Sequence, residues 1–246
     1  MSVKNLGQPF DIHTGGVDHI FPHHENEIAQ STAGDQPEKY ANFFIHNEHL
    51  MVDGKKMSKS ANNFYAVPDI VEKGFDALDF RMLVLQSHYR STTNFSWENL
   101  TAARNRRKNW LSIAELRWQT PDSGDDGMAE IVNNLLDRAT EALSWDIETP
   151  NALKFLDQIV DIFTGDIDNI SHFALSNFIN FVDDNLGLRL RDTTPDIAPE
   201  QYDLIMSRTA ARAEKDWAKS DQIRDELLTN GIEIKDMPIG QIWSRA

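Results

Sequence analysis

The pentamer Lys56-Met57-Ser58-Lys59-Ser60 is the most distinctive group of chemically competent residues in the sequence. It follows Asp53-Gly54, a dipeptide that favours a tight hairpin turn. Two lysines three residues apart on a loop can neutralise the charge that builds on a triphosphate as pyrophosphate leaves. An ordinary solvated hairpin carries the same residue types, so the pentamer alone leaves both interpretations open.

A pair of glycines follows a predicted strand in the segment His13-Thr14-Gly15-Gly16-Val17-Asp18. Glycine lets the backbone approach a flat ring closely, and a carboxylate a few residues later can accept ribose hydroxyls. Glycine turns after strands are common, however. The segment indicates a nucleoside site only together with the lysine pentamer downstream.

The segment Pro22-His23-His24-Glu25-Asn26-Glu27 places a histidine and an acid four residues apart at the start of a predicted helix. Side chains at this spacing project from one helix face, so His23 and Glu27 could share a metal ion. A surface pair that binds no ligand is the other interpretation.

The elements that position these residues are predicted from hydrophobic patterns and turn signals. Strands at 10–13, 42–46 and 50–52, with a glycine turn at 14–16 and a helix from about Pro22 to Ala33, are typical of the end of an α/β sheet. From Val67 onward the apolar residues recur near the helical period. The predicted helices span residues 69–73, 77–89, 97–118, 128–144, 150–164, 171–186, 199–216 and 217–229. The polar run 119–127 predicts a linker, and Ile232–Ile234 with Gln241–Trp243 predict a terminal hairpin.

Composition narrows the class of protein. The 246-residue chain has a formal net charge of −15 and no cysteine, which excludes a thiolate metal site made by this chain alone. Residues 1–118 carry 13 basic and 14 acidic side chains, so the acidic excess lies in the sequence after residue 118. It indicates solvated helical surfaces there. No stretch approaches the roughly 20 apolar residues of a membrane span, and the N-terminus lacks the apolar region of a signal peptide. We therefore expect a soluble, cytoplasmic protein.

Several blocks of the sequence resemble one family. The pentamer Lys56–Ser60 matches the KMSKS signature of class I aminoacyl-tRNA synthetases, and residues 10–31, FDIHTGGVDHIFPHHENEIAQS, resemble cysteinyl-tRNA synthetases. Residues 87–96 and 208–246 resemble the same family, whereas the acidic helices between them resemble it only in pattern. The resemblance implies an α/β plus all-α fold, a partial Rossmann-type catalytic fold followed by helices. It divides the chain into the C-terminal part of a catalytic domain at 1–66, a helical stem-contact region at 67–118, a linker at 119–127 and a helical anticodon-binding domain with a small C-terminal hairpin at 128–246.

The resemblance also implies the chemistry, namely ATP-dependent activation of cysteine and its transfer to tRNA-Cys. Lys56 and Lys59 would stabilise the phosphoryl transition state as catalytic residues. Zn²⁺ would be held by His23 and Glu27, and Mg²⁺ would accompany ATP. The implied ATP-binding residues are His13, Gly15, Gly16, Asp18, Met57, Ser58 and Lys59.

Three residues near the C-terminus match family positions that bind the anticodon. Trp217 and Asp221 are four residues apart on a predicted helix, and Arg212 lies one to two turns earlier. Trp217 could stack on an unpaired base, Asp221 could accept from a guanine edge, and Arg212 could hold phosphate or base. In the alternative interpretation Trp217 anchors the helix in the core and Asp221 is merely solvated.

The family's HIGH motif and its two zinc-binding cysteines are not found in this sequence. We therefore expect the chain to represent the C-terminal portion of the family protein, with an incomplete zinc site and no activity on its own. A truncated gene, a misplaced start codon and a split gene are all consistent with this expectation. The expected partners are tRNA-Cys, ATP and L-cysteine, with a separate N-terminal half if the gene is split; the chain is otherwise expected to be a monomer.

Two other functions are compatible with the residues. A related ligase joins cysteine to an amino sugar and shares the catalytic blocks, but it needs no anticodon reader, so the family-like tail at 208–246 disfavours it. A non-catalytic tRNA-binding remnant is the second alternative, and it belongs to a different functional class.

Overall fold

The computed structural model describes residues 2–33, 39–57, 63–122, 126–237 and 240–245. The chain forms two compact units, Met1–Ala102 and Ala103–Ala246. The first contains strands and helices, and the second is helical except for a terminal hairpin. The α/β plus all-α class predicted from the sequence is therefore confirmed. The four-segment functional division stays a prediction.

Two parallel strands form the first sheet. After the short helix α1 (Ser2–Leu6), β1 (Phe10–Gly16) pairs with β2 (Ala41–Asn47), and α2 (Glu25–Thr32) lies between them in the chain. The predicted turn at residues 14–16 is wrong. The strand continues to Gly16 because Gly15 and Gly16 are in register with His46 and Asn47, and the chain turns only at Val17–His19.

The hairpin before the lysine pentamer is confirmed. Strand β3 (Leu50–Val52) pairs antiparallel with β4 (Lys55–Lys56), and both turn residues, Asp53 and Gly54, have positive φ. Such angles are those of the type I′ turn that suits a two-residue hairpin. A strand that the sequence did not predict, β5 (Thr93–Phe95), pairs parallel with β3.

Between β4 and β5, the described residues 63–92 include the helices α3 (Val67–Glu72) and α4 (Ala77–Leu85). Asp76 caps α4 by accepting from the N–H of Leu78. The helix predicted at 77–89 ends earlier than expected, because the carbonyl of Tyr89 accepts instead from the N–H of Glu48, at 2.8 Å.

The core of the first unit is built from aromatic rings. Phe10, Tyr40 and Ala41 are buried at the start of the β1–β2 sheet, with Ile28 and Phe44 packed against them. A second aromatic group surrounds Phe95, which contacts the rings of Tyr65, Phe80 and Trp97. The first group lies at the start of β1 and β2, and the second lies at the end of β5.

The second unit is a set of helices with a β-hairpin. Helix α5 (Trp97–Glu115) includes the boundary between the units and continues as a 3-10 turn to Trp118. The elements that follow are α6 (Asp126–Ser144), α7 (Thr149–Gly165), α8 (His172–Phe181), α9 (Leu190–Thr193), α10 (Pro199–Ala213), α11 (Trp217–Thr229), β6 (Ile232–Met237) and β7 (Gly240–Arg245). All but α9 were predicted, to within a few residues at each end. None of the helices in the described ranges is long and apolar enough to cross a membrane.

The side-chain amide of Gln119 and the carboxylate of Glu115, which pairs with Arg245, attach the terminal hairpin to the end of α5 and the residue just after its 3-10 turn. Gln119 donates to the carbonyl of Trp243 at 2.9 Å and accepts from the N–H of the same residue at 2.7 Å. Apolar side chains of the hairpin, Ile232, Ile234 and Trp243, share a core with helix α11. The predicted linker therefore contributes a residue that positions the C-terminus.

A buried arginine ties α10 to the hairpin. Arg208 is 1% exposed and donates to both carboxylate oxygens of Asp236, at 2.8 and 3.1 Å. These hydrogen bonds from Arg208 are the main reason that the pKa of Asp236 lies below its usual range. Because the folded-state pKa is lowered, the stabilisation is complete above the unfolded-state pKa of about 4 and is lost as the pH falls through the folded-state value.

We therefore expect Asp236→Asn to lower the free energy of unfolding by about 1–2 kcal/mol at pH 7. This value is the usual contribution of a charged hydrogen bond, reduced because Asp236 is partly exposed to solvent. The difference between variant and parent should shrink below about pH 4, as Asp236 becomes protonated in the parent. Urea unfolding at several pH values measures it. Asp192→Asn, which removes the exposed Arg189–Asp192 pair, is the control and should cost less than about 1 kcal/mol. An equal loss in both variants would contradict the account.

Candidate active site and nucleic-acid interface

Histidines from both strands of the first sheet converge with an acid of α2. His13 on β1 lies 2.8 Å from Glu27, between Nε2 and Oε2, and His24 Nδ1 lies 2.9 Å from Nε2 of His46 on β2. The rings of His13 and His24 are 4.4 Å apart between centroids. We call His13, His24, Glu27 and His46 the histidine cluster.

Gly15 is required because two imidazoles lie against its backbone. A Cβ at this position would be 2.8 Å from Nδ1 of His19 and 2.8 Å from Cε1 of His24. The sequence suggested that this glycine admits a ligand ring, and the structure shows that protein rings occupy the space beside it. Packing of His19 and His24 therefore accounts for glycine at position 15.

Alanine at Gly15 is expected to displace the rings of His19 and His24 and to destabilise the first unit by about 1–3 kcal/mol, the usual range for overpacking. Thermal unfolding followed by circular dichroism measures the change. Gly165→Ala is the matched control, since a Cβ there meets no atom within 4 Å; it should be neutral or slightly stabilising. If both substitutions leave stability unchanged, the rings do not pack on Gly15 as described.

Three side chains of this region have donor atoms close enough to approach one metal ion. The ligand atoms of His13, His24 and Glu27 lie within 4.8 Å of one another. The predicted ligand His23 is more exposed, and its Nε2 lies 3.8 Å from Oε1 of Glu27. The structure thus brings the predicted pair together, and it adds His13 and His24, which sequence reasoning had not considered as metal ligands.

Burial favours the neutral form of His24, which is the form that binds a metal ion. Its pKa is lowered, mainly by desolvation and then by the neighbouring His13 and His46. Neutral imidazole is the ligand form of histidine. Two imidazoles and one carboxylate are a donor set of the kind found in catalytic zinc sites, which keep a further position for another ligand.

The remaining predicted nucleoside residues follow on the same strand. Gly16 ends β1, and the carboxylate of Asp18 lies over it, so close that a Cβ at residue 16 would collide with Oδ1. A cavity of about 350 Å³ opens beside this turn, lined by Val17, Ile20, Phe44, His46, Tyr89 and Arg90. Gly16 and Asp18 therefore lie together, and the ATP-binding role of His13, Gly15, Gly16 and Asp18 stays a prediction.

The lysine pentamer is described only in its first part. Lys56 ends strand β4 with an exposed side chain, and its carbonyl accepts from the amide of Asn63 at 3.1 Å. Met57 is half-buried. Ser58, Lys59 and Ser60 lie outside the described residues, so their predicted roles are not tested by the structure.

The predicted anticodon-binding residues lie together at the junction of α10 and α11. Trp217 begins α11 and is 55% exposed. The guanidinium of Arg212 lies 5.5 Å from its ring centroid and 3.3 Å from Asp236. Asp221 is exposed one turn further along α11. The alternative in which Trp217 is a core anchor is wrong, because the ring lies at the surface where a base could reach it.

Comparison with known proteins decides the family. Residues 1–105 match the catalytic domain of class I (C) tRNA synthetases, and residues 194–243 match the cysteinyl-tRNA ligase anticodon binding domain. Across 100% of the chain it is 38% identical to a cysteine–tRNA ligase of Brachyspira hyodysenteriae, and across 98% it is 36% identical to that of Chlamydia muridarum. The chain belongs to the cysteine–tRNA ligase family.

The chain spans about half the length of these relatives, 54% of each. A solved structure with a similar fold is the ternary complex of Agrobacterium radiobacter K84 agnB2 LeuRS, tRNA and LeuAMS. The match has a TM-score of 0.62 and a sequence identity of 15%. It covers 76% of this chain and 27% of the LeuRS chain. This likeness shows the fold of a class I synthetase and nothing finer.

The two matched regions of this cysteine–tRNA ligase family member contain all of the predicted site residues. The histidine cluster and the lysine pentamer fall within the catalytic match, and the group Arg212, Trp217 and Asp221 falls within the anticodon match. His24 and His46 were missed by sequence reasoning. The register of β1 against β2 is the signal that could have found His46, because it places the last residues of the two strands side by side.

Proposed function

We propose that the chain supplies the ATP-activating lysine loop and the anticodon-binding surface of a cysteine–tRNA ligase. The observation that carries this proposal is the 38% identity to such a ligase across the whole chain, KMSKS pentamer included. Lys56 and Lys59 would stabilise charge on the triphosphate, with Mg²⁺ bound to the nucleotide. His13, Gly15, Gly16, Asp18, Met57 and Ser58 would bind ATP beside them.

The match of residues 194–243 to an anticodon-binding domain supports tRNA as the acceptor of cysteine. A ligase that joins cysteine to an amino sugar would not use such a domain. The exposed Trp217, held beneath the Arg212 guanidinium, adds a stacking surface of the type that reads unpaired bases. The acceptor proposed is therefore tRNA-Cys.

The activity is best tested in a full-length context. A chimeric enzyme would carry residues 1–246 in place of the matching half of the Brachyspira hyodysenteriae ligase. It should catalyse cysteine-dependent ATP–pyrophosphate exchange, and Lys59→Ala should abolish most of that exchange with little change in the KM for cysteine. Lys73→Ala, outside the pentamer, is the control. A chimera equally active with and without Lys59 would refute the role of the loop.

The 246-residue chain assayed alone is proposed to give no measurable exchange, since catalysis needs preorganised groups from the whole ATP site and the family's HIGH motif is not found in this sequence. If it still binds tRNA, it behaves as the non-catalytic tRNA-binding protein that the sequence left open. Exchange at the rate of a full-length ligase would overturn this proposal and leave the family assignment intact.

Zinc is proposed to bind weakly to the isolated chain and to be lost on dialysis, because the chain offers imidazole and carboxylate donors without any thiolate. Metal analysis after dialysis measures the retained zinc. Comparing His23→Ala with His24→Ala in the residual zinc affinity then identifies which histidine is the ligand. Stoichiometric zinc that survives dialysis and is removed by His23→Ala would contradict the expected weakness.

A further inference from the structure

One flank of helix α11 carries a row of exposed side chains, which we call the α11 row. Its members follow one another at intervals of four, three and four residues, so they lie on one side of the helix over about three turns. They are Trp217, Asp221, Arg224 and Leu228, all exposed. The residues that α11 buries form a separate row, namely Ser220, Ile223 and Leu227. The α11 row is therefore a surface that a ligand can reach.

Arg224 is a cation without a partner in this row. It follows Asp221 by three residues, a spacing at which an acid and a base on a helix can pair. Within the described part of the chain, however, neither side chain forms an ion pair or a hydrogen bond. Two opposite charges about one turn apart thus remain available to a ligand that offers both a donor and an acidic group.

The α11 row runs beside a carboxylate that two other arginines already occupy. The guanidinium of Arg212 lies 5.5 Å from the ring centroid of Trp217 and 3.3 Å from Asp236. The pKa of Asp236 is lowered mainly by the hydrogen bonds from Arg208, and the charges of Arg212 and Arg224 add to this effect. Arg224 therefore lies near the same carboxylate as Arg212, but it makes no ion pair with it in the described structure.

The order of side chains along the row matches a single strand of nucleic acid. Proteins that bind unpaired strands combine aromatic rings, on which bases stack, with cations that follow the phosphates. Trp217 supplies the ring, and Arg224 lies about 10 Å further along the helix axis, at a rise of roughly 1.5 Å per residue. A guanidinium suits phosphate because it can donate two parallel hydrogen bonds.

We propose that Arg224 binds a backbone phosphate of the tRNA strand whose base stacks on Trp217. This contact depends on the proposed function, since it needs the anticodon strand to lie on α11. It adds a residue that the sequence had not singled out, and it gives that residue a role different from reading a base. The unpaired state of Arg224 in the free protein is what a group reserved for a phosphate requires.

Filter binding of the full chain to a tRNA-Cys transcript, repeated at several salt concentrations, tests the contact. Arg224→Ala should lower the affinity about five-fold or more and reduce the salt slope by about one, because one phosphate contact is lost. Arg224→Lys keeps the charge, so it should retain the salt slope and recover part of the affinity. Lys219→Ala removes an exposed cation from the opposite flank of α11 and is the matched control, which should bind as the parent does.

A second transcript with an altered anticodon distinguishes a phosphate contact from a base contact. Phosphate contacts carry no sequence information directly. Arg224→Ala should therefore weaken the binding of both transcripts by the same factor. A change in the ratio of the two affinities would overturn the phosphate contact, because Arg224 would then read a base edge.

Trp217→Ala in the same assay separates this contact from the proposed function. If Trp217→Ala weakens tRNA binding and Arg224→Ala does not, the anticodon surface stands and the phosphate contact is overturned. The contact is also overturned if Lys219→Ala loses as much affinity as Arg224→Ala, since net charge alone would then account for both. If Arg224→Ala weakens binding and Trp217→Ala and Lys219→Ala do not, the phosphate contact stands and the stacking role of Trp217 is wrong.

Discussion

Replacement of Trp217 by alanine is expected to lower the affinity of the chain for tRNA-Cys by about 5- to 150-fold. This range corresponds to the roughly 1–3 kcal/mol that stacking on an aromatic side chain contributes per base. Trp217 is 55% exposed, so its removal leaves no large cavity. The folded state should therefore keep its thermal stability, and filter binding or calorimetry with the transcript measures the loss.

The matched control for this experiment is Trp145→Ala, which removes another exposed tryptophan of the same unit, 79% exposed and distant in sequence from the anticodon match. Its tRNA affinity should equal that of the parent chain. A transcript with an altered anticodon should bind the parent and Trp217→Ala equally weakly. Because the second unit is acidic, the salt dependence should be shallow, reflecting few neutralised phosphates. If the affinity for tRNA is unchanged both by Trp217→Ala and by an altered anticodon, this surface does not bind the anticodon.

Local signals in the sequence predicted the elements of the second unit except α9, because its longer helices have apolar residues at a regular spacing and Pro238 and Gly240 in the sequence indicate a turn. The pairing of β3 with β5 was missed, since the partners are about 40 residues apart and β5 is only three residues long. The end of α4 was placed too late for a related reason. The carbonyl of Tyr89 accepts from Glu48, a long-range partner that no local pattern reveals.

The candidate site was predicted best where both partners lie on one element. The spacing of His23 and Glu27 placed them on one face, and the structure brings them within 3.8 Å. His13 was predicted to bind a nucleoside, and the structure places its Nε2 2.8 Å from Oε2 of Glu27. This contact joins β1 to α2, and residue spacing along the chain does not predict which elements pack together. The exposure of Trp217 likewise depends on how α10 meets α11, so the residue pattern alone favoured a core position and only the family resemblance favoured the surface.

Asp157 on α7 is a polar residue whose loss is expected to destabilise the second unit. Its carboxylate accepts from the guanidinium of Arg106, at 3.2 Å from Nε and 2.5 Å from Nη2, and from the indole N–H of Trp110 at 2.9 Å. Both donors lie on α5, so one carboxylate joins the two helices. Trp110 is fully buried and packs edge-on against Phe178. Its indole N–H would have to remain buried if the acceptor were removed.

Asp157→Ala should therefore lower the free energy of unfolding by about 1–3 kcal/mol, combining the loss of the acceptor for the Trp110 N–H with the loss of charged hydrogen bonds that are partly screened, since Asp157 is 41% exposed. Asp157→Asn should lose less, because the amide oxygen still accepts from Trp110. Asp161→Ala, an exposed acid one turn later on the same helix, is the control and should stay within about 0.5 kcal/mol of the parent. A double-mutant cycle with Trp110→Phe isolates the indole contribution, since the cost of Asp157→Ala should fall once the N–H is absent. If the cost of Asp157→Ala is the same in both backgrounds, the Trp110 hydrogen bond does not join α5 to α7.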